Sequence, residues 1–184
     1  MYVMMDKIDD TVQGAVFRLP LKMESGTMRA ATNPIDGLIY YSGLTGWQAG
    51  ATQEGSIQRL RHTGNKGIYL REAKARKNRL ELTFTETVNP NSIKKDSFAA
   101  SAWNYRWSRG YGSPTFKISD PEIRGDDKLS IESIDLSKDG KKLIVQIPDL
   151  SPCHNLKLDF AVDGRNGASL AGPVYFTIHK LPES

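Results

Sequence analysis

Between residues 78 and 87 apolar and polar side chains alternate strictly. Leu80, Leu82 and Phe84 fall on one side, and Glu81, Thr83 and Thr85 on the other. A period of two is the mark of a half-buried strand in an antiparallel sheet. The alternation returns at 156–162, and further strands are expected at 131–136, 142–147 and 174–178. An aromatic-rich strand is expected over 98–107, broken at 110–114 and resuming at 115–118. Asp139-Gly140 joins two of these runs as a hairpin turn, and 163–167, Asp-Gly-Arg-Asn-Gly, supplies another turn. One helical turn fits 92–97, and no segment keeps a helical period for three turns. Short strands about ten residues apart, separated by Gly, Pro and Asp, predict a β-sandwich over 66–184.

The first third has a different rhythm. Strands are expected at 14–21, 38–44 and 56–61, with residues 1–13 an entering strand or a frayed arm. Pro20 marks a strand end or an edge, because proline donates no ladder hydrogen bond. Asp36-Gly37 opens the central strand with a tight turn. Three short strands joined by glycine-rich loops look like most of one blade of a β-propeller, here residues 1–65, and the small polar residues at 62–67 read as a domain boundary. The expected fold is therefore all-β, a partial blade followed by a sandwich. A partial blade leaves strand edges unpaired, and bare edges recruit other strands. The expected partners are the rest of a propeller or a second copy of the chain, unless the sandwich hides those edges.

Three pieces of the second half carry a resemblance: 80–92 with its Asn-Pro-Asn-Ser turn, the hairpin 137–147, and 150–160 followed by the turn at 163–167. In order and spacing they resemble the bacterial immunoglobulin-like domains of surface and secreted proteins. Over nearly its whole length the chain resembles the C-terminal end of large secreted bacterial proteins related to sorbosone and quinoprotein sugar dehydrogenases. That likeness rests on 13–20, 26–29, 33–41, 46–48, 58–61, 103–107 and 111–114. It implies a secreted or periplasmic protein whose export signal lies outside this chain, since residues 1–10 lack a basic start and an apolar core. In such proteins the catalytic histidine and the quinone-binding residues sit in other blades. The resemblance therefore implies a non-catalytic structural or interaction module, with no catalytic residue and no cofactor. The alternative it leaves open is a fragment of a quinone-dependent sugar or alcohol dehydrogenase that lends loops, with Arg29 and Trp47, to the active-site rim.

Candidate binding residues are aromatic. Trp103, Tyr105 and Trp107 stand at i, i+2 and i+4, so on a strand they would share one face, and such a strip could stack on the C–H faces of sugar rings. The competing reading packs them into the core or against the blade. Trp47 carries the same ambiguity, as ligand contact or as an anchor between the two parts. Carbohydrate is thus a possible partner.

Composition narrows the rest. Hydrophobic residues make up 39% and charged residues 25%, ordinary for a globular protein. No apolar run approaches the roughly 18 residues that suggest a membrane span. The net charge of +4 is spread along the chain. Its densest basic stretch, 71–79, reads as a solvated linker and strand edge rather than a nucleic-acid surface. A single cysteine, Cys153, excludes an intrachain disulfide and a thiolate metal cluster; beside His154 it could be a nucleophile, but an inert core position fits better. Asp126, Asp127 and Asp139 lack the spacing of a calcium loop. Glu81 and Glu86 fall on opposite strand faces and cannot act as the paired carboxylates of sugar hydrolysis. His62, His154 and His179 have no ligand spacing, so no metal site is expected.

Overall fold

A computed structural model describes residues 1–46, 51–64 and 66–182. In chain order its strands are β1 (Tyr2–Ile8), β2 (Thr11–Phe17), β3 (Gly26–Thr32), β4 (Ile39–Leu44), β5 (Gly55–Leu60), β6 (Leu70–Arg76) and β7 (Arg79–Phe84). There follow β8 (Ala99–Tyr105), β9 (Thr115–Phe116), β10 (Asp127–Leu129), β11 (Ile134–Leu136), β12 (Lys142–Gln146), β13 (Cys153–Asp163) and β14 (Ser169–Ile178). Between β7 and β8 lie two single 3₁₀ turns, Pro90–Ser92 and Lys95–Ser97, where one helical turn was expected. The chain is all-β, and its sheets are antiparallel and open. It divides into two compact units, Met1–Leu19 with Lys66–Ser184, and Pro20–Asn65.

The larger unit has two sheets. One runs β1-β2-β14-β13-β8-β10, with β9 added to β8, and the other runs β11-β12-β7-β6. The alternation read from sequence sets which residues they bury. Leu80, Leu82 and Phe84 of β7 are at most 1% exposed, and Leu156, Leu158 and Phe160 of β13 are likewise buried. Phe84 meets Phe160 edge-on at 6.1 Å between ring centroids, and Phe17 lies 5.9 Å from Phe160, so both sheets feed one core. Fully burying a side chain of this size is worth about 1.5–3 kcal/mol.

The division of the chain differs from the one expected at residue 65. Residues 1–17 form a hairpin of the larger unit, not the start of a blade: Val16 pairs with Tyr175 and Ala15 with Phe176. Met4, Ala15 and Phe17 belong to its core. Local sequence could not show this, because the partner strand lies at the far end of the chain. The hairpin also turns without glycine, through Asp9 at φ 52°. The basic stretch 71–79 is likewise part of a hairpin, β6–β7, turned by Asn78 at φ 60°. Asp and Asn are the residues most often tolerated there after glycine. β6 buries only Leu70, Ala73 and Ala75, and a register shift between Leu70 and Glu72 breaks its alternation.

The smaller unit is the sheet β3-β4-β5, with β4 central as expected and β3, not the 14–21 segment, as its first flank. Its entry turn is built by two side chains. Asn33 Oδ1 accepts from the Ile35 N–H at 3.0 Å, and Asp36 Oδ1 from the Leu38 N–H at 3.0 Å. Tyr40 donates its hydroxyl to Asp36 Oδ2 at 2.8 Å, and Gly37 takes φ 68°. Among the described residues of this unit, only Ser25 is buried. Ile57 and Met28 are 80% and 54% exposed.

Candidate functional site

β8 ends at Tyr105, two residues short of the expected strand, and this separates the three candidate aromatics. Trp103 lies within the strand opposite Asn155 and is half-buried; its indole N–H is buried without a partner among the described residues. Tyr105 is 44% exposed, and its ring stacks on His154 at 6.2 Å. Trp107 lies beyond the strand and is wholly exposed. The shared face expected of all three therefore does not extend to Trp107. Trp47 lies outside the described residues.

The loop that carries Trp107 is held at its base. The Tyr105 N–H donates to His154 Nδ1 at 2.9 Å, and the His154 N–H donates to Asn104 Oδ1 at 2.8 Å. These bonds tie the end of β8 to the start of β13. The Arg106 N–H donates to Ser113 Oγ at 3.1 Å, closing the loop across seven positions. The Arg106 guanidinium lies over the Phe116 ring, 4.4 Å from its centroid, and donates to the Glu122 carboxylate and the Pro121 carbonyl. A cation over a ring face gains from the ring quadrupole. Arg106 is thus a fastener and is not available to a ligand.

Above this base the loop presents Trp107, Arg109 and Tyr111. Trp107 and Tyr111 are as exposed as free side chains, and Arg109 is exposed with no hydrogen bond or ion pair among the described residues. Gly112, at φ 78°, turns the chain back toward β9. Sequence reading singled out Trp107 but not Arg109 or Tyr111. The signal available was two large aromatics in a loop of Ser, Gly and Pro, where no core position calls for them.

The other candidates have structural occupations. Burial pushes the Cys153 thiol up to about 12, which keeps it protonated and poorly nucleophilic at neutral pH. The basic stretch is largely matched by carboxylates: Arg76 with Asp6 at 2.7 Å, Arg79 with Glu81 at 2.9 Å, and Lys74 with Glu72 at 3.3 Å. Asp127 accepts from the Ser119 N–H at 2.7 Å and its hydroxyl at 2.8 Å, and Asp126 accepts from Thr115. Asp139 caps its own hairpin by accepting from Ser137 and the Lys141 N–H. Among the described residues no group of three or more His, Cys, Asp or Glu side chains could hold a metal, and no helix is long and apolar enough to cross a membrane.

An open groove of about 530 Å³ runs along Phe98, Ala100, Leu129 and Ile131, flanked by Lys95 and Lys128 and by Asp96 and Asp159. It offers mainly an apolar floor. The Trp107–Tyr111 loop offers two aromatic faces and a cation with no partner among the described residues, which is the richer chemistry. Comparison of the chain with protein-family models, with curated proteins and with solved structures finds no match.

Proposed function

We propose that the chain is a non-catalytic interaction module that contacts carbohydrate through the loop following β8. One observation carries this reading: Trp107 and Tyr111 stand fully in solvent on a loop whose base is fastened. Burial of either ring would stabilise the fold by kilocalories, so a fold that leaves both out gains nothing from them by itself. Sugar rings present flat C–H faces that an indole or phenol covers without needing a pocket. Tyr105, stacked on His154, extends the aromatic surface, whereas Trp103 belongs mainly to the strand. A glycan-array screen of the protein, with Trp107→Ala and Tyr111→Ala, tests the reading. Binding that both substitutions weaken at least ten-fold is expected; a binding profile unchanged in both variants would sink it.

The fold reading is proposed in the same spirit. Two antiparallel layers over one core support an immunoglobulin-like sandwich for the larger unit. Three strands without a buried apolar residue support a partial propeller blade for Pro20–Asn65. Such a sheet is completed by the remainder of a propeller or by a second copy, pairing along β3 or β5; a secreted or periplasmic location of the parent protein is part of the same proposal. Sedimentation of the chain is expected to show concentration-dependent association that Ile57→Pro on β5 abolishes. A monomer at all concentrations, with fast amide exchange along both edges, would overturn the pairing.

A further inference from the structure

We infer that the carbohydrate this loop takes is acidic, a polysaccharide whose pyranose rings carry carboxylate or sulfate groups. The inference rests on the carbohydrate reading above and adds the charge of the ligand. Three neighbouring facts carry it. Trp107 and Tyr111 are both fully exposed, and Arg109 lies midway between them in sequence. Arg109 has no hydrogen bond or ion pair among the described residues, whereas the nearby Arg106 is committed to Phe116, Pro121 and Glu122. The loop from Trp107 to Gly112 contains no carboxylate.

The two arginines divide the work. If positive charge here served only to fasten the loop, Arg106 would suffice, because its guanidinium already joins the loop base to 121–122. Arg109 adds a second guanidinium that fastens nothing among the described residues. A guanidinium presents a planar fork of donors that matches a carboxylate bidentately and also suits sulfate. With an aromatic residue two positions away on each side, the loop combines a surface for the C–H face of a sugar with a fork for its acidic substituent. A neutral sugar would leave that fork in water and use only the rings. An exposed ion pair alone contributes little. Discrimination therefore comes from the fork and the rings acting on one residue of a polymer, repeated along its length.

The test measures binding of the whole chain to polygalacturonate, to the same polymer with its carboxyls reduced to alcohols, and to a sulfated galactan. Salt is held at about 0.15 M, where the Debye length is about 8 Å and long-range attraction is screened. Arg109→Gln, Trp107→Ala and Lys138→Gln are compared with the parent protein; Lys138 sits in the β11–β12 turn, away from the loop in sequence. Expected is binding to an anionic polymer at least ten-fold tighter than to the reduced one. Arg109→Gln should erase that preference, Lys138→Gln should leave it, and Trp107→Ala should abolish binding to every polymer. Which anionic polymer binds better assigns carboxylate or sulfate. Equal binding to the charged and reduced polymers, or an Arg109→Gln protein that behaves like the parent, overturns the inference while the carbohydrate reading stands. Equal loss with Lys138→Gln would reduce the effect to net charge and also overturn it. No binding to any polymer, with no glycan bound on the array, removes both.

Discussion

Glu81 shows how a residue on the outer side of a strand can matter to the fold. It sits on β7 between Arg79, whose Nε donates at 2.9 Å, and Lys142 of the neighbouring β12 at 3.3 Å. Partial burial raises its carboxyl, but the Arg79 hydrogen bond and the Lys142 charge outweigh that and hold it below the usual 4.5. A lowered folded value means that the carboxylate's contribution is complete above 4.5 and is lost as the pH falls through the folded value. Glu81→Gln should therefore lower stability at pH 7 by about 1 kcal/mol, a charged pair with partial shielding from water. In denaturant melts the two proteins should converge as the pH drops below 4.5; a constant gap across the acid range would show that Glu81 acts by packing and not by charge. At this same scale the binding candidates were only half legible. The sequence shows that Trp103, Tyr105 and Trp107 alternate, but not that β8 stops at Tyr105, and that stop is what turns Trp107 outward.

Among the elements, β1 and β6 carry the pairing that sequence could least reveal. They are edge strands of different sheets, and Asp6 on one meets Arg76 on the other at 2.7 Å. Tyr2 adds a bond from its hydroxyl to the Arg71 carbonyl at 3.3 Å. The Asp6 side chain is 6% exposed and that of Arg76 20%, so neither charge is well hydrated without the other. Removing one partner of a buried pair costs about 3–5 kcal/mol, and the partial exposure of Arg76 brings the expected loss for Asp6→Ala to about 2–3 kcal/mol. The double variant Asp6→Leu/Arg76→Leu should recover most of it, since no charge is then stranded. If single and double variants lose stability additively, the pair is not coupled and the two sheet edges are held by something else. The strands with apolar side chains at every second position, β7, β12 and β13, were legible because their burial is written in local alternation. β6 was not, because alanines do its burying and a bulge breaks its period. The β1–β2 and β6–β7 turns were hidden for another reason, the use of Asp9 and Asn78 where glycine is the usual sign.

For the larger unit as a whole, the consequence is that its first nineteen residues and its last strand form one structure. β2 pairs with β14 from Val174 to Thr177, and Phe17 packs against Phe160 in the shared core. Gln13, buried on β2, accepts the N–H groups of His179 at 2.9 Å and Lys180 at 3.0 Å, so the chain leaving β14 is held by the chain entering the fold. The Gln13 bonds span more than 160 positions, and the loop-closure cost falls on the sheet pairing. A fragment beginning at residue 66, the boundary that composition suggests, would lose Met4, Ala15 and Phe17 from the core and leave β14 as a bare edge. Loss of Phe17 alone is worth about 3–5 kcal/mol against a total stability of about 5–15 kcal/mol. The 66–184 fragment is therefore expected to lose fixed tertiary structure, to bind a hydrophobic dye and to aggregate through the exposed edge. Adding back a peptide of residues 1–19 should restore its near-ultraviolet dichroism, because the hairpin supplies both the missing strand and the missing side chains. A fragment that folds cooperatively without the peptide, at the stability of the full chain, would mean that β13 and β14 close the core unaided and that the hairpin is an ornament on their edge.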